Sequence, residues 1–461
     1  MSDPFVIALG ACVVFGLARW RAAVMAALVL AVGEGALRKW AFPDAQQYVY
    51  FLKDALLFGA YVSYFGGRFM RKQRPLVAHP ATPALLLFAV LVVLEAFNPG
   101  LPRQVVGLFG ARAYLMYVPL MYMVPALFPD TAALRKFWMW YLLLALVPLA
   151  LGPLQYNAPI DSELNKYSWS EEPNGQPAMF GGSGDDPVRT RITGTFSYIS
   201  GYTTYLLVIL TLGLSVTLFA RRIRTRLALF GYLMLGAINL LMTGSRGPFL
   251  VLVTALPLLL LVAAQTRGMR AARAALGATI LIPLVATFLP AVFSEEVGSV
   301  FIARVRGADS VIGRVVGPWR SFLDTSDLAG PFGFGAGSTH QAITLLAPEF
   351  RGAIPPAEDE WQRIVLELGP LGLALTLIIR VVVAARLWKA VRTTDDGGRP
   401  FIAAALVFVL AHVPGSLVFN HTAALFYWFM AGFALVPPVA RASEGVAPGA
   451  TAAMARVPAE R

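Results

Sequence analysis

The sequence predicts an all-α polytopic integral membrane protein, with about 12–13 transmembrane helices and a large extracytoplasmic loop containing short helices. Three observations carry that prediction. Of the 461 residues, 57% are hydrophobic and 14% charged, against roughly 45–50% and about 25% in soluble domains. Apolar stretches long enough to cross a bilayer recur along nearly the whole chain. Between them the bases cluster in short loops: "GGRFMRKQRP" (66–75), "ARRIRTR" (220–226), "QTRGMRAAR" (265–273) and "ARLWKAVR" (385–392). That is the positive-inside pattern, and it places all four loops in the cytoplasm.

These loops absorb the net charge of +12, so no nucleic-acid partner is predicted; the bilayer is the partner. Ten-residue alternating strands, the mark of a membrane barrel, are absent. The lone Cys12 can form no intrachain disulfide. The opening "MSDPF" carries no Lys or Arg ahead of the apolar run, which argues against a cleaved signal peptide.

About 20 residues make one crossing, and the loops then set the order. Spans are predicted near 5–18, 22–37, 48–65, 81–97, 104–126, 137–156, 198–219, 227–242, 249–264, 274–293, 364–385, 401–418 and 422–438. The chain divides into N-terminal spans (1–156), an extracytoplasmic loop (157–197) and central spans (198–293). A large extracytoplasmic loop (294–363), C-terminal spans (364–440) and a disordered cytoplasmic tail (441–461) follow. Residues 157–197 hold six acids and three bases, and 294–363 hold nine acids and six bases. Both are net negative, consistent with that address, and too long to be simple turns. No internal repeat is evident, which weakens a transporter built from inverted halves.

The segment between the basic loops at 220–226 and 265–273 is a single hairpin with "TGSRGP" at its outer tip. Arg246 therefore sits against the charge bias. Glu34, Arg38, Lys39, Lys53, Asp54, Arg112 and Arg191 also lie inside spans or at their outer ends, where charge is costly without a partner or a task. Consecutive spans make Lys53 and Asp54 near partners of Glu34, Arg38 and Lys39. An ion-pair network that fixes helix packing is one reading of these residues. The other is a basic pocket at headgroup depth: Arg38, Lys39, Arg191 and Arg246 share the outer side, and guanidinium groups suit phosphate oxygens.

In the large loop, "GRVVGPWRSFLDTSDLAGPFGFGAGST" (313–339) offers Arg314 and a Gly-x-Gly-x-Gly at Gly333, Gly335 and Gly337. It follows no strand, so it is not read as a nucleotide site. Downstream, Glu358, Asp359 and Glu360 open a helix, where acids suit the dipole, and Glu360 has Arg363 at i,i+3. One of these carboxylates is a candidate general base, with His340 as rival. His421 reads as structural.

"RITGTFSYISGYTTYLLV" (191–208), "LLMTGSRGPFLVL" (240–252), the 313–339 stretch and "ELGPLGLAL" (367–375) together resemble the O-antigen ligase and O-antigen polymerase superfamily. The "EGALRKW…YFLKD" region resembles one branch of it. The resemblance implies a metal-independent inverting glycosyltransferase of the bacterial inner membrane that needs no nucleotide and no cofactor. It implies transfer of a glycan from an undecaprenyl-diphosphate-linked oligosaccharide to an acceptor glycan or lipid-linked repeat. Arg191 and Arg246 would hold the diphosphate. Ligases of this family carry His-Asn, nine residues, then Gly-x-x-Gly; here the matching positions are Glu358-Asp359, 360–368, and Gly369-Pro370-Leu371-Gly372. The missing histidine leaves the base open between Glu358, Glu360 and His340, and favours a polysaccharide polymerase over a ligase. A transporter or lipid flippase with Glu34, Lys53, Asp54, Glu95 and Arg112 along its path is the alternative. A transferase holding a metal on the "EDE" acids is a third.

Overall fold

The computed structural model describes residues 4–168, 177–180, 188–220, 222–267, 322, 325–340, 343–350, 352–355, 357 and 359–437. The predicted span 274–293, Arg314, Glu358 and the tail at 441–461 lie outside the described residues.

The architecture is all-α. Helices α1 (Pro4–Ala18), α2 (Trp20–Ala36) and α3 (Gln46–Met70) form the N-terminal layer, with one π-helical turn, Leu37–Ala41, extending α2. Next come α4 (Thr82–Ala96), α5 (Gln104–Leu115), α6 (Leu120–Leu127), α7 (Thr131–Leu144) and α8 (Leu146–Asn157). The long helices α9 (Ile199–Phe219), α10 (Ile223–Met242) and α11 (Arg246–Arg267) make the centre. After a short α12 (Ile343–Leu346), α13 (Glu360–Thr393), α14 (Arg399–Ala411) and α15 (His421–Ala431) close the bundle. A two-residue antiparallel ladder, β1 (Met179–Phe180) with β2 (Arg189–Thr190), completes the elements.

Among the described residues, five helical runs are long and apolar enough to cross a membrane, or six if the bent α5–α6 pair is one span. Four more helices are apolar but shorter. The chain is thus an all-α multi-pass membrane protein. Its helices are apolar on both sides, as membrane helices are: α4 buries Leu85, Phe88, Leu91 and Val92 yet exposes Leu86, Leu87, Val90, Val93 and Leu94.

Contacts between distant segments define two faces. On one, here the loop face, the end of α2 meets residues 193–197, Arg191 meets 243–245, Ala336 meets Glu95, and Asn420 meets Ser200. On the opposite, basic face, Arg21 meets Ala126, Thr131 meets Asp395, and Ser215 meets Pro400.

Three predicted spans differ from the observed helices. Residues 104–126 do not form one rod: α5 and α6 are bent by 41° across residues that include Pro119. The helix predicted to reach 418 ends at Ala411, ahead of Pro414 and Gly415. The third is α13. Gly369 adopts φ 70° and ψ 178°: Pro370 disfavours the helical conformation at the residue before it, and glycine alone takes the positive φ freely. Glu360 and Arg380 nevertheless contact at 2.5 Å, although 20 residues of straight helix would separate them by about 30 Å. The arm 360–368 therefore folds back along the longer arm 370–393, bringing Glu360 about 15 Å below the break. The arm 370–393 is by itself long enough to cross.

A Cβ on Gly369 would lie 2.1 Å from the Pro331 carbonyl oxygen. Gly369→Ala is expected to destabilise the protein by roughly 1–3 kcal/mol or more, the scale of a forced left-handed residue. Thermal unfolding in detergent micelles, compared with wild type, measures it; an unchanged midpoint would refute the fold-back.

Candidate functional site

The break in α13 builds the floor of the site. In an unbroken helix the Leu366 carbonyl would accept from the amide of residue 370, but proline has no N–H. Leu366 O accepts instead from Phe334 N at 2.7 Å, which docks the glycine-rich loop on the break. The Glu367 carboxylate then gathers the end of that loop. It accepts from Gly337 N (2.9 Å), Thr339 N (3.2 Å) and Thr339 Oγ1 (2.7 Å), and pairs with Arg363 Nε at 3.0 Å. Ala336 N donates to Glu95 O at 3.0 Å on the other side. Gly337 has φ 83°, and a Cβ there would meet Val106 O at 2.4 Å. The glycines thus serve close backbone packing between α5 and α13.

His340 follows directly. Its ring stands edge-on to Phe109, centroids 6.0 Å apart. Burial, with Arg363 beside it, lowers its pKa to about 4; Glu367 opposes the shift and Arg112 adds to it. The imidazole is neutral near pH 7 and so able to accept a proton.

The carboxylates beside it are engaged in tethering. Asp359 caps α13, accepting from Gln362 N at 2.9 Å. Glu360, 2% exposed, pairs with Arg380 rather than with Arg363. Its oxygens also accept from the amides of Leu417 (2.7 Å), Val418 (2.7 Å) and Phe419 (3.3 Å). Arg380 binds the carbonyls of His412, Val413 and Gly415. One buried ion pair thus holds both ends of the segment between α14 and α15.

The second half of the site is organised by residues 191–197. Lys39 Nζ donates to Thr193 Oγ1 (3.0 Å) and Gly194 O (2.8 Å), and Arg38 Nη1 donates to Ser197 Oγ (3.0 Å). Gly35 admits this contact, since a Cβ would lie 2.2 Å from the backbone of Phe196. Arg191 donates from Nε to Thr243 O (2.7 Å) and from Nη2 to Ser245 Oγ (2.9 Å). Arg246 is the next residue and opens α11; its side chain is outside the described residues. One short segment therefore joins Arg38, Lys39 and Arg191 to the "TGSR" turn.

Between the two halves lies a hub that the sequence did not reveal as such. The Tyr50 ring has Arg38 Cζ at 5.3 Å, Lys53 Nζ at 4.7 Å and Arg112 Cζ at 4.7 Å. Its hydroxyl takes a hydrogen bond from Arg112 Nη1 at 3.2 Å and is in close contact with His421 Nδ1. Lys53 pairs with Glu34 at 2.5 Å, as neighbouring spans predict. Asp54 pairs elsewhere, with Arg112 Nε (2.8 Å) and Tyr117 Oη (2.8 Å). The available signals were the intramembrane charges themselves and the spacing of Tyr50 and Lys53, one helical turn apart.

A membrane-embedded bundle with an ionised site gathered towards one face defines a class: a multi-pass protein built to handle a polar group at the membrane surface. Residues 231–377 match the O-antigen ligase family model; this part of the chain is similar to the members of that family. The matched stretch runs from α10 through "TGSRGP" and the glycine-rich loop to beyond the break in α13, and supports an enzyme of lipid-linked glycan ligation or polymerisation. No curated protein matches the chain.

Breaking one partner of a buried ion pair costs about 3–5 kcal/mol. Glu360→Gln is accordingly expected to lower the unfolding midpoint in detergent markedly. If turnover is lost while the midpoint stays put, the tether is not the main role of Glu360.

Proposed function

We propose that the protein is an inverting glycosyltransferase. It transfers a glycan from an undecaprenyl-diphosphate donor to an acceptor sugar on the outer side of the bacterial inner membrane, most simply as a polysaccharide polymerase. The observation that carries this reading is the segment 191–197, which ties Arg38, Lys39 and Arg191 to the "TGSR" turn inside a chain with an O-antigen ligase domain.

In this mechanism Arg191 and Arg246 grip the diphosphate in bidentate fashion, and Arg38 and Lys39 add positive potential from the neighbouring helix end. As the anomeric carbon–oxygen bond breaks, charge grows on the departing diphosphate, and the fixed cations stabilise it. Arg314 is assigned to the same anion by its place in the sequence. The acceptor hydroxyl attacks from the opposite side of the sugar and gives up its proton to a base. Among the candidates Glu358, Glu360 and His340, His340 is favoured: it is neutral near pH 7, whereas Glu360 already accepts four hydrogen bonds. Glu34, Arg38, Lys39, Lys53, Asp54 and Arg112 lie within about two to three turns of the loop-face ends of their helices, while Arg21 and Arg68 mark the opposite ends. A transporter path would instead continue such charges across to the basic face.

The deciding experiment is turnover of a defined lipid-linked oligosaccharide by the purified protein. No product from intact, folded protein would overturn the reading. Arg246→Ala is expected to abolish turnover with the protein still folded in the membrane, and Arg246→Lys to restore little; full activity in the lysine variant would reduce the requirement to charge alone.

The pH profile tests His340. Protonation blocks a base, so kcat/KM, which reports the free enzyme, should keep its acid limb near pH 4. The limb of kcat should lie at higher pH, because the bound anion offsets the cations that depress the imidazole. Identical limbs, or a limb that survives His340→Gln, would move the base elsewhere.

A further inference from the structure

The hub around Tyr50 contains donors that its own contacts leave unanswered. Arginine can only donate, so Arg112 Nη1 directs a proton at the Tyr50 oxygen. The tyrosine proton then goes to His421 Nδ1, its close neighbour. With Nδ1 accepting, the ring proton of neutral His421 resides on Nε2. That nitrogen is buried and has no hydrogen-bond partner among the described residues.

Among the other buried side-chain atoms without a partner in the described residues are two arginine nitrogens close to this hub. Arg363 Nη2 is buried without a partner while its Nε holds Glu367, and Arg38 Nε is buried without one while its Nη1 holds Ser197. Arg363 lies under the same segment as His421, with Cζ 4.6 Å from the Phe419 ring. Arg112, Lys53, His340 and Arg363 are all within electrostatic reach of His421. Five cations (Arg38, Lys53, Arg112, Arg363 and Arg380) lie around the hub and the adjoining 412–419 segment against four carboxylates, Glu34, Asp54, Glu360 and Glu367. Buried donors of this kind are normally satisfied, and a positive surround selects an anionic acceptor.

We propose that His421 Nε2–H and Arg363 Nη2, backed by Tyr50 and Arg112, form an oxyanion subsite that takes a phosphate or carboxylate oxygen of the glycan substrate. It is distinct from the Arg191–Arg246 grip and rests on the glycosyltransferase reading for the identity of its ligand. His421 acts there as a donor that positions substrate, and the base lies elsewhere.

The chain has four histidines, so ring-nitrogen NMR of the full-length protein in nanodiscs can follow His421, assigned by its loss in His421→Gln. Inorganic diphosphate and glucuronate are the probes. A shift of the His421 Nε2 resonance with diphosphate marks the ligand as phosphate, and one with glucuronate alone marks it as carboxylate. No shift with either probe overturns the subsite. In turnover, His421→Ala is expected to raise KM about 10–100-fold, the scale of a hydrogen bond to a charged group, with kcat nearly unchanged. His421→Gln, which keeps an N–H near the Nε2 position, should recover most of it. A Gln variant as poor as Ala, with both unfolding early, would make the residue structural and refute the proposal. The NMR shift needs no turnover: wild-type protein that binds diphosphate at His421 but forms no product would sink the glycosyltransferase reading and leave the subsite standing.

Discussion

A proline with no proton to give is the constraint from which the site follows. Because Pro370 cannot donate, the Leu366 carbonyl is released from its helix and captures the glycine-rich loop at Phe334. Because Gly369, with no Cβ, takes a positive-φ conformation at the break, the helix folds back and Glu360 reaches Arg380. That pair in turn anchors residues 412–419, and with them the start of α15 and His421. A motif of six residues, "ELGPLG" (367–372), thus places a loop, a buried ion pair and a histidine on a second helix.

The same logic explains how so much charge survives in an apolar bundle. Burial of an ion is tolerable only when pairing and hydrogen bonds replace water. Glu367 receives four hydrogen bonds from Arg363, Gly337 and Thr339, and Glu360 receives four from Arg380 and three backbone amides. Asp54 is held by Arg112 and Tyr117. Among the buried side-chain atoms left without a partner in the described residues, His421 Nε2 and Arg38 Nε belong to residues that touch Tyr50, and Arg363 Nη2 lies under the segment that leads to His421.

Fold class was legible because hydropathy and the placement of bases report directly on the bilayer. The partnership of Lys53 with Glu34 was legible because consecutive spans lie side by side. The partner of Asp54 was not: Arg112 lies 58 residues on, and adjacency carries no such information. Glu360 was misleading for a different reason. Spacing along an intact helix offers it Arg363, but the break at Gly369 changes which residues face each other and delivers Arg380. His421 reads as structural because nothing local marks it; its contact with Tyr50, on a helix far away in sequence, is what the sequence does not show. The sequence excludes a nucleotide cradle at the glycine run, and only the contacts with α5 and α13 show what it packs against.

The pairing of Asp54 also bears on biogenesis. Lys53 and Glu34 are 19 residues apart and meet within one hairpin, so their charges enter the bilayer already matched. Asp54 has no such companion until α5 emerges from the ribosome and brings Arg112. For that interval the nascent chain carries an orphan carboxylate, which water or a proton must shield. The ion pairs of the N-terminal quarter of the chain are therefore complete only once α5 is in place.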